Sequence, residues 1–148
     1  MSAQHSQYLE AKILTAPPNR LHLMLIEGAI RYGRQAEEAL RRGDESAAAA
    51  PLLRVIDILG ELVAGVRERE SELNKKLADL YWFLFRRVTQ AKINADMTAL
   101  AETMQLLEYE RQTWQLVCEK FAQASDHQSG TGSSTAPRAT KSSLSLEA

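Results

Sequence analysis

The stretch that decides the fold is TAPPNRLHLMLIEGAIRY, residues 15–32. Proline fixes φ near the helical value and lacks an N–H that a first turn would leave unpaired, so Pro18 suits the first helical position. At about 100° per residue, the apolar side chains that follow fall on two sides of the helix. One side carries Leu21, Leu25, Gly28, Ala29, Tyr32, Ala36 and Ala39, and the other carries Leu23, Ile26 and Ile30. Another helix or a binding partner must therefore cover the second side.

Breaks in the apolar pattern divide residues 18–122 into four helices, without any strand-like alternation. Gly43 suits the left-handed position that ends the first helix. The second helix begins near Ser46 or Ala47, provided that Pro51 lies in or near its first turn. Ser71 and Asp96 are expected to cap the third and fourth helices.

Each of the last three helices has an apolar stripe. The second carries Leu52, Val55, Ile56, Leu59, Leu62, Val63 and Val66; the third carries Leu73, Leu77, Leu80, Tyr81, Leu84, Val88 and Ala91; the fourth carries Met97, Leu100, Met104, Leu107, Trp114, Cys118 and Phe121. Helices of similar length joined by short connections favour antiparallel neighbours. The sequence therefore predicts an all-α, antiparallel up-and-down four-helix bundle over residues 18–123, preceded by a short N-terminal arm or helix in residues 1–17. Residues 124–148 are rich in Ser, Thr, Gly and Pro and are expected to form a disordered tail.

The composition argues against several classes of function. The formal net charge is -1, so nothing favours nucleic acid or an anionic membrane as the principal partner. Apolar runs are too short to span a bilayer, and the N-terminus lacks the apolar core of a signal peptide, so a cytoplasmic location is expected. The single cysteine excludes an internal disulfide, and His5, His22 and His127 are too scattered for a metal site. We expect no cofactor, no metal and no enzymatic activity.

The second and third helices carry more apolar surface than a bundle helix needs. On the second, the arc from Ile58 to Leu53 spans about 220°. On the third, Trp82, Phe83 and Phe85 flank or oppose the main stripe. Three structural explanations account for this surplus. The aromatic side chains are partly exposed at helix edges, the N-terminal arm covers them, or a homodimer buries them. The alternative is a groove that receives an apolar segment of a client protein.

Several short segments also occur in a characteristic order. They are Tyr8, TAPP at 15–18, MLIEGAI at 24–30, ILGEL at 58–62, Leu80-Tyr81, and Leu106-Leu107 followed by Trp114. In this order and spacing they resemble the flagellar secretion chaperone family, FliS. The resemblance implies a cytoplasmic bundle that binds the C-terminal segment of flagellin and prevents premature polymerisation before flagellar type III export. Export apparatus components are further partners that it suggests.

The expected client-binding residues lie on the second and third helices, with a contribution from the fourth. They are Ile58, Leu62, Val66, Tyr81, Trp82, Phe85 and Leu106. The sequence departs from the family pattern at Val66-Arg67, at residues 68–72, which lack a Gly-Gly pair, and at Ala91-Lys92. A chaperone or adaptor of the same fold for a different helical client is therefore one alternative. A structural homo-oligomer is another.

Overall fold

The computed structural model describes the backbone of residues 18–135 and the side chains of residues 18–126. Its four helices are α1 (Pro18–Arg41), α2 (Glu45–Arg67), α3 (Glu72–Asn94) and α4 (Met97–Thr135). The predicted all-α class and the number of helices are confirmed within this part of the chain. The predicted N-terminal arm, residues 1–17, and residues 136–148 of the predicted tail lie outside the described residues.

Short polar side chains begin three of the helices. Asp44, Ser71 and Asp96 each accept a hydrogen bond from a backbone N–H three residues later, at 3.0, 3.0 and 3.1 Å. Such bonds satisfy donors that the first turn leaves unpaired. Gly43 has φ 76° and ends α1, because glycine adopts the left-handed conformation without a Cβ clash. The caps predicted at Ser71 and Asp96, and the end predicted at Gly43, are confirmed.

Pro51 lies within α2, six residues after Glu45 begins the helix. The start is thus slightly earlier than the predicted Ser46 or Ala47, because Asp44 provides the cap. Pro51 has no N–H to donate to the carbonyl of Ala47, one turn earlier. Ala47 is exposed, so water can reach that carbonyl and the helix continues through the second turn.

The four helices form a closed ring in which each contacts the next and α4 returns to α1. The contacts include Arg54 with Tyr32, Phe85 over Gly60, Arg87 with Glu102, and Arg34 with Glu108. Between α3 and α4, Tyr81 meets Glu110 while Arg87 meets Glu102, so residue numbers rise in one helix as they fall in the other. The same relation holds between α1 and α4. The antiparallel bundle predicted from the sequence is confirmed.

Both apolar sides of α1 lie within the bundle. Leu23, Ile26 and Ile30 are buried on one side. Ala29, Ala36 and Ala39 are buried on the other side. Neighbouring helices therefore supply the cover that the opening stretch requires. The core continues through α2, α3 and α4 with Leu52, Val55, Leu59, Leu62, Tyr81, Leu84, Val88, Leu100, Met104 and Leu107.

The chain divides into two compact units between Trp114 and Gln115, within α4. The contacts described above all belong to the first unit. The second continues as helix from Gln115 to Thr135, into the first residues of the predicted tail. Leu116 and Phe121 are exposed in this unit, although Phe121 belongs to the stripe predicted for the fourth helix.

Candidate functional site

Two aromatic side chains of α3 form an exposed apolar surface beside α2. The rings of Trp82 and Phe85 stack, with centroids 4.9 Å apart and planes inclined by 15°. Phe85 is partly buried because its ring lies over Gly60, where a Cβ would be 3.9 Å from Cε2 of the ring. Trp82 remains 43% exposed. The missing side chain on α2 thus leaves a shallow floor beneath the aromatic pair.

Two more exposed apolar side chains lie farther along the same faces of the two helices. Leu53 lies seven residues before Gly60, so both are on the same side of α2. Ile93 lies eleven residues after Trp82, so both are on the same side of α3. Leu53 is 50% exposed and Ile93 is 74% exposed. Eleven residues of helix extend roughly 16 Å. We call the surface formed by Leu53, Gly60, Trp82, Phe85 and Ile93 the α2–α3 strip.

The opposite end of the α2–α3 pair is polar. A cleft of about 420 Å³ lies between the end of α2 and the beginning of α3. It is lined by Val66, Arg67, Arg69, Glu70, Asn74, Lys75, Ala78 and Asp79. Positive and negative side chains both line the cleft, so it has no strong preference for ligands of one charge.

A second exposed apolar surface lies on the other side of α3. Arg87 pairs with Glu102 across α3 and α4. Phe83 lies one turn before Arg87, and Leu106 lies one turn after Glu102, so in an antiparallel pair both occur on the same side of this ion pair. They are 42% and 36% exposed. We call Phe83 and Leu106 the α3–α4 patch.

The structure brings together only some of the predicted client-binding residues. Trp82 and Phe85 lie in the α2–α3 strip, whereas Leu106 lies in the α3–α4 patch, because Phe83 and Phe85 differ by about 200° around α3. Whether these residues contact a client stays a prediction.

The remaining four predicted residues lie deeper or elsewhere. Leu62, Val66 and Tyr81 are buried in the core. Ile58 is partly buried and lies against α1, with Cδ1 3.5 Å from the position of a Cβ on Gly28. In this conformation a partner on the α2–α3 strip reaches none of the three core residues without a movement of the helices.

Sequence reasoning did not include Leu53, Gly60 and Ile93 among the candidate residues. The signal for Leu53 was its position seven residues from Gly60, which places a large apolar side chain and a gap on one face of α2. Ile93 was detectable as an isolated large apolar residue opposite the main stripe of α3. Neither signal identifies the neighbouring helix, which depends on contacts between residues distant in sequence.

Tyr81 is buried and is the centre of a polar chain that links three helices. Its hydroxyl donates to Oε1 of Glu110 at 2.7 Å and lies 2.7 Å from Nε2 of His22. Since the hydroxyl has one proton, His22 must carry hydrogen on Nε2 and donate it to Tyr81. The His22 ring also stacks obliquely on Trp114, with centroids 4.0 Å apart. We call His22, Tyr81 and Glu110 the polar chain.

Burial changes the acid–base properties of two members of the polar chain. Desolvation lowers the pKa of His22 to about 4, because a charged imidazolium would lose its hydration. Burial, followed by the hydrogen bond to Glu110, raises the pKa of Tyr81 well above its usual range. At neutral pH, His22 is therefore uncharged, and Tyr81 keeps the proton that it donates to Glu110.

Two further searches cover only the described residues. No three His, Cys, Asp or Glu side chains among them lie close enough together to hold a metal ion. None of the helices in this part of the chain is long and apolar enough to cross a membrane.

Comparison with known proteins gives a consistent result. A family model described as "Flagellar protein FliS" matches residues 1–121. The chain belongs to the FliS family. It is 31% identical over 114 residues to the flagellar secretion chaperone FliS of Salmonella typhimurium, an alignment that covers 76% of this chain and 84% of that protein.

Two further relatives have a comparable match. The flagellar secretion chaperone FliS of Bacillus subtilis is 29% identical over 110 residues, covering 74% of this chain and 82% of the relative. The flagellar secretion chaperone FliSB of Pseudomonas aeruginosa is 29% identical over 107 residues, covering 72% and 85%. The resemblance noted in the sequence is therefore confirmed.

Several residues of the FliS-like motifs lie in the core of the described bundle. Gly28, Ala29 and Tyr81 are buried and hold the helices together. The exposed Trp82 directly follows the Leu80-Tyr81 motif. In this member of the FliS family, these motif residues specify the scaffold, while Gly60 of the 58–62 motif and Leu106 belong to the exposed surfaces.

Proposed function

We propose that this chain is a cytoplasmic export chaperone that binds the C-terminal segment of flagellin. By covering that segment it prevents premature polymerisation before flagellar type III secretion. Membership of the FliS family supports the class of protein, and the α2–α3 strip supports an apolar polypeptide as the ligand. Export apparatus components are a second class of partner, because an export chaperone has to deliver its client.

The observation that carries this proposal is the exposed Trp82–Phe85 stack above Gly60. Tryptophan is enriched among residues that dominate binding energy, and a shallow apolar floor allows close approach of a partner. The length of the strip, roughly 16 Å, accommodates about three turns of helix or five residues of extended chain. A segment that folds on binding offsets its loss of conformational entropy by burying apolar area there.

The seven predicted residues take different roles in this proposal. Trp82 and Phe85 contact the client directly. Leu62, Val66 and Tyr81 support the strip from within the core, and Ile58 supports α2 from the side of α1. Leu106 would contact only a client long enough to continue around α3.

The decisive experiment is calorimetric titration of the full chain with a purified flagellin C-terminal peptide. Trp82→Ala should raise the dissociation constant about thirtyfold, which corresponds to roughly 2 kcal/mol. Phe83→Ala is the matched control, because it removes an aromatic ring of similar exposure from the α3–α4 patch, about 100° further around α3. We expect it to change the affinity less than about threefold, as a peripheral contact does. Circular dichroism should show both variants to be folded.

Other outcomes would redirect the proposal. Absence of heat and of competition at high micromolar peptide would discard flagellin as the client. An apolar helical protein recovered instead in an unbiased pull-down would favour a chaperone of the same fold for another client. Light scattering tests the homo-oligomer, for which the 74% exposed Ile93 is the best support. A chain that remains monomeric as its concentration is raised would count against the homo-oligomer.

A further inference from the structure

The polar chain fixes α3 more tightly than apolar contacts alone can. The hydroxyl of Tyr81 is fully buried and has one partner on α1 and another on α4, each at 2.7 Å. A hydrogen bond weakens steeply when its distance or angle changes, whereas apolar side chains repack with little loss. Because the buried Tyr81 hydroxyl is bonded on both sides, the polar chain favours one arrangement of the helices.

This constraint reaches the α2–α3 strip through the backbone. Trp82 follows Tyr81 directly, so the two side chains leave α3 about 100° apart. Phe85 lies one turn after Tyr81 and stacks on Trp82. Any rotation of α3 that moves the Tyr81 hydroxyl from His22 and Glu110 must also turn Trp82 and Phe85 relative to Gly60 on α2.

We propose that Tyr81 is a positioning residue for the α2–α3 strip, and that its bonds to His22 and Glu110 set the rotation of α3 that holds the Trp82–Phe85 pair against Gly60 of α2. As far as client affinity is concerned, this inference rests on the proposed function. Tyr81 does not touch the client. It determines the surface that the client meets.

The first test is independent of any client. The chain has two tryptophans, so labelling with 5-fluorotryptophan gives two ¹⁹F resonances, which Trp82→Phe assigns. Tyr81→Phe keeps the ring but removes the hydroxyl. We expect it to shift the Trp82 resonance and to make it more accessible to a soluble paramagnetic quencher. Trp114 lies beside His22, so its resonance should shift when the hydrogen bonds of Tyr81 are lost, whether or not α3 rotates.

A matched control separates positioning from loss of stability. Thr103 is buried, and its hydroxyl donates to the carbonyl of Ala99 at 3.0 Å within α4. Thr103→Val thus removes a buried hydroxyl whose hydrogen bond lies within one helix, whereas the Tyr81 hydroxyl connects three. It should lower the melting temperature as Tyr81→Phe does but leave the Trp82 resonance in place.

The second test measures client affinity. Tyr81→Phe should weaken binding of the flagellin C-terminal peptide roughly tenfold, while Thr103→Val should leave it within about twofold. Glu110→Gln retains an oxygen that accepts from Tyr81 and should preserve both affinity and the Trp82 resonance. Glu110→Leu removes the acceptor and should alter both, which provides a second route if Tyr81→Phe does not fold.

The inference is overturned if Tyr81→Phe and Glu110→Leu lose stability but keep the wild-type Trp82 resonance and wild-type affinity. Tyr81 would then be a structural residue only. If the wild-type chain binds no flagellin peptide, the proposed function fails, and the Trp82 resonance alone decides whether Tyr81 positions the strip.

Discussion

The α1–α4 interface and the α2–α3 strip each place a glycine opposite a large side chain, yet only the first is closed. A Cβ on Gly33 would lie 2.2 Å from Sδ of Met104, so the methionine occupies the space that the glycine leaves. A Cβ on Gly60 would lie 3.9 Å from the Phe85 ring, and Trp82 beside it remains exposed. Close packing at one glycine builds the bundle, while open space at the other leaves a surface for a partner.

The largest effect should come from opening the closed interface. Met104→Ala removes a buried side chain whose space Gly33 cannot refill, since glycine has no atoms to move into the cavity. We expect the free energy of unfolding to fall by about 3 kcal/mol, within the range for large-to-small core substitutions. Chemical denaturation of the full chain measures this change.

Leu53→Ala is the comparison on the open strip. Half of the Leu53 side chain is exposed, so its removal should cost less than about 0.5 kcal/mol. Equal losses in the two variants would mean that the strip is as structural as the α1–α4 interface, and the contrast between them would fail.

The second effect is pH-dependent and concerns the polar chain. Since the pKa of His22 is lowered from its ordinary value of 6.5 to about 4, the unfolded chain binds more protons than the folded one between these values. Stability is therefore fully present above pH 6.5 and is lost as the pH falls towards 4. From pH 7 to pH 5 the free energy of unfolding should decrease by about 2 kcal/mol on account of His22 alone.

His22→Gln isolates this contribution, because glutamine can still donate an N–H to Tyr81 but does not titrate. The difference in unfolding free energy between wild type and His22→Gln should change across this pH range, while carboxylates affect both proteins alike. A difference that stays constant from pH 7 to pH 5 would show that His22 is not desolvated. If the polar chain positions the α2–α3 strip, the affinity of the strip for its client should also decrease as the pH falls from 7 to 5.

Local sequence signals were sufficient for the fold. Gly43, Ser71 and Asp96 act on backbone groups within a few residues of themselves, so their roles follow from residue type and spacing. The apolar stripes are likewise periodic within one helix. The helix order and the antiparallel ring then follow from short connections.

The site was predicted less completely, because it depends on contacts between helices. Around α3, Phe83 and Phe85 are equally displaced from the main stripe. Only the pairing of Arg87 with Glu102 and the contact of Phe85 with Gly60 show which neighbouring helix lies on each side. Leu106 was therefore grouped with Trp82 although α3 separates them. The partners of Tyr81 are 59 and 29 residues away in sequence, so its polar chain left no local signal.

The third prediction compares the two glycines directly. Gly33→Ala forces Met104 to move, and we expect a net loss of about 1 kcal/mol after the higher helix propensity of alanine is included. Gly60→Ala introduces only an ordinary contact with Phe85, so the helix propensity should increase stability by up to about 1 kcal/mol. Thermal denaturation should thus give shifts of opposite sign. A loss at Gly60 as large as that at Gly33 would mean that the strip has no spare space.

The smallest effect concerns the ion pairs at the edge of the α1–α4 interface. Arg34 donates to Glu37 at 2.7 Å and to Glu108 at 3.0 Å, and Glu108 also accepts from Arg111 at 2.9 Å. The Arg34 side chain is half-exposed, so water screens these pairs and each contributes little. Glu108→Gln should cost less than about 1 kcal/mol at low salt.

High salt should remove most of that difference, because exposed charges are screened within a few ångströms at about 1 M. Urea denaturation at low and high sodium chloride measures it. The control is Glu38→Gln, whose partners are Arg41 at the end of α1 and Arg42 directly after it. A loss that is large and insensitive to salt would place Glu108 in the closed interface rather than at its edge. The α1–α4 interface would then be held by charge as well as by Met104 packing on Gly33, in contrast to the α2–α3 strip.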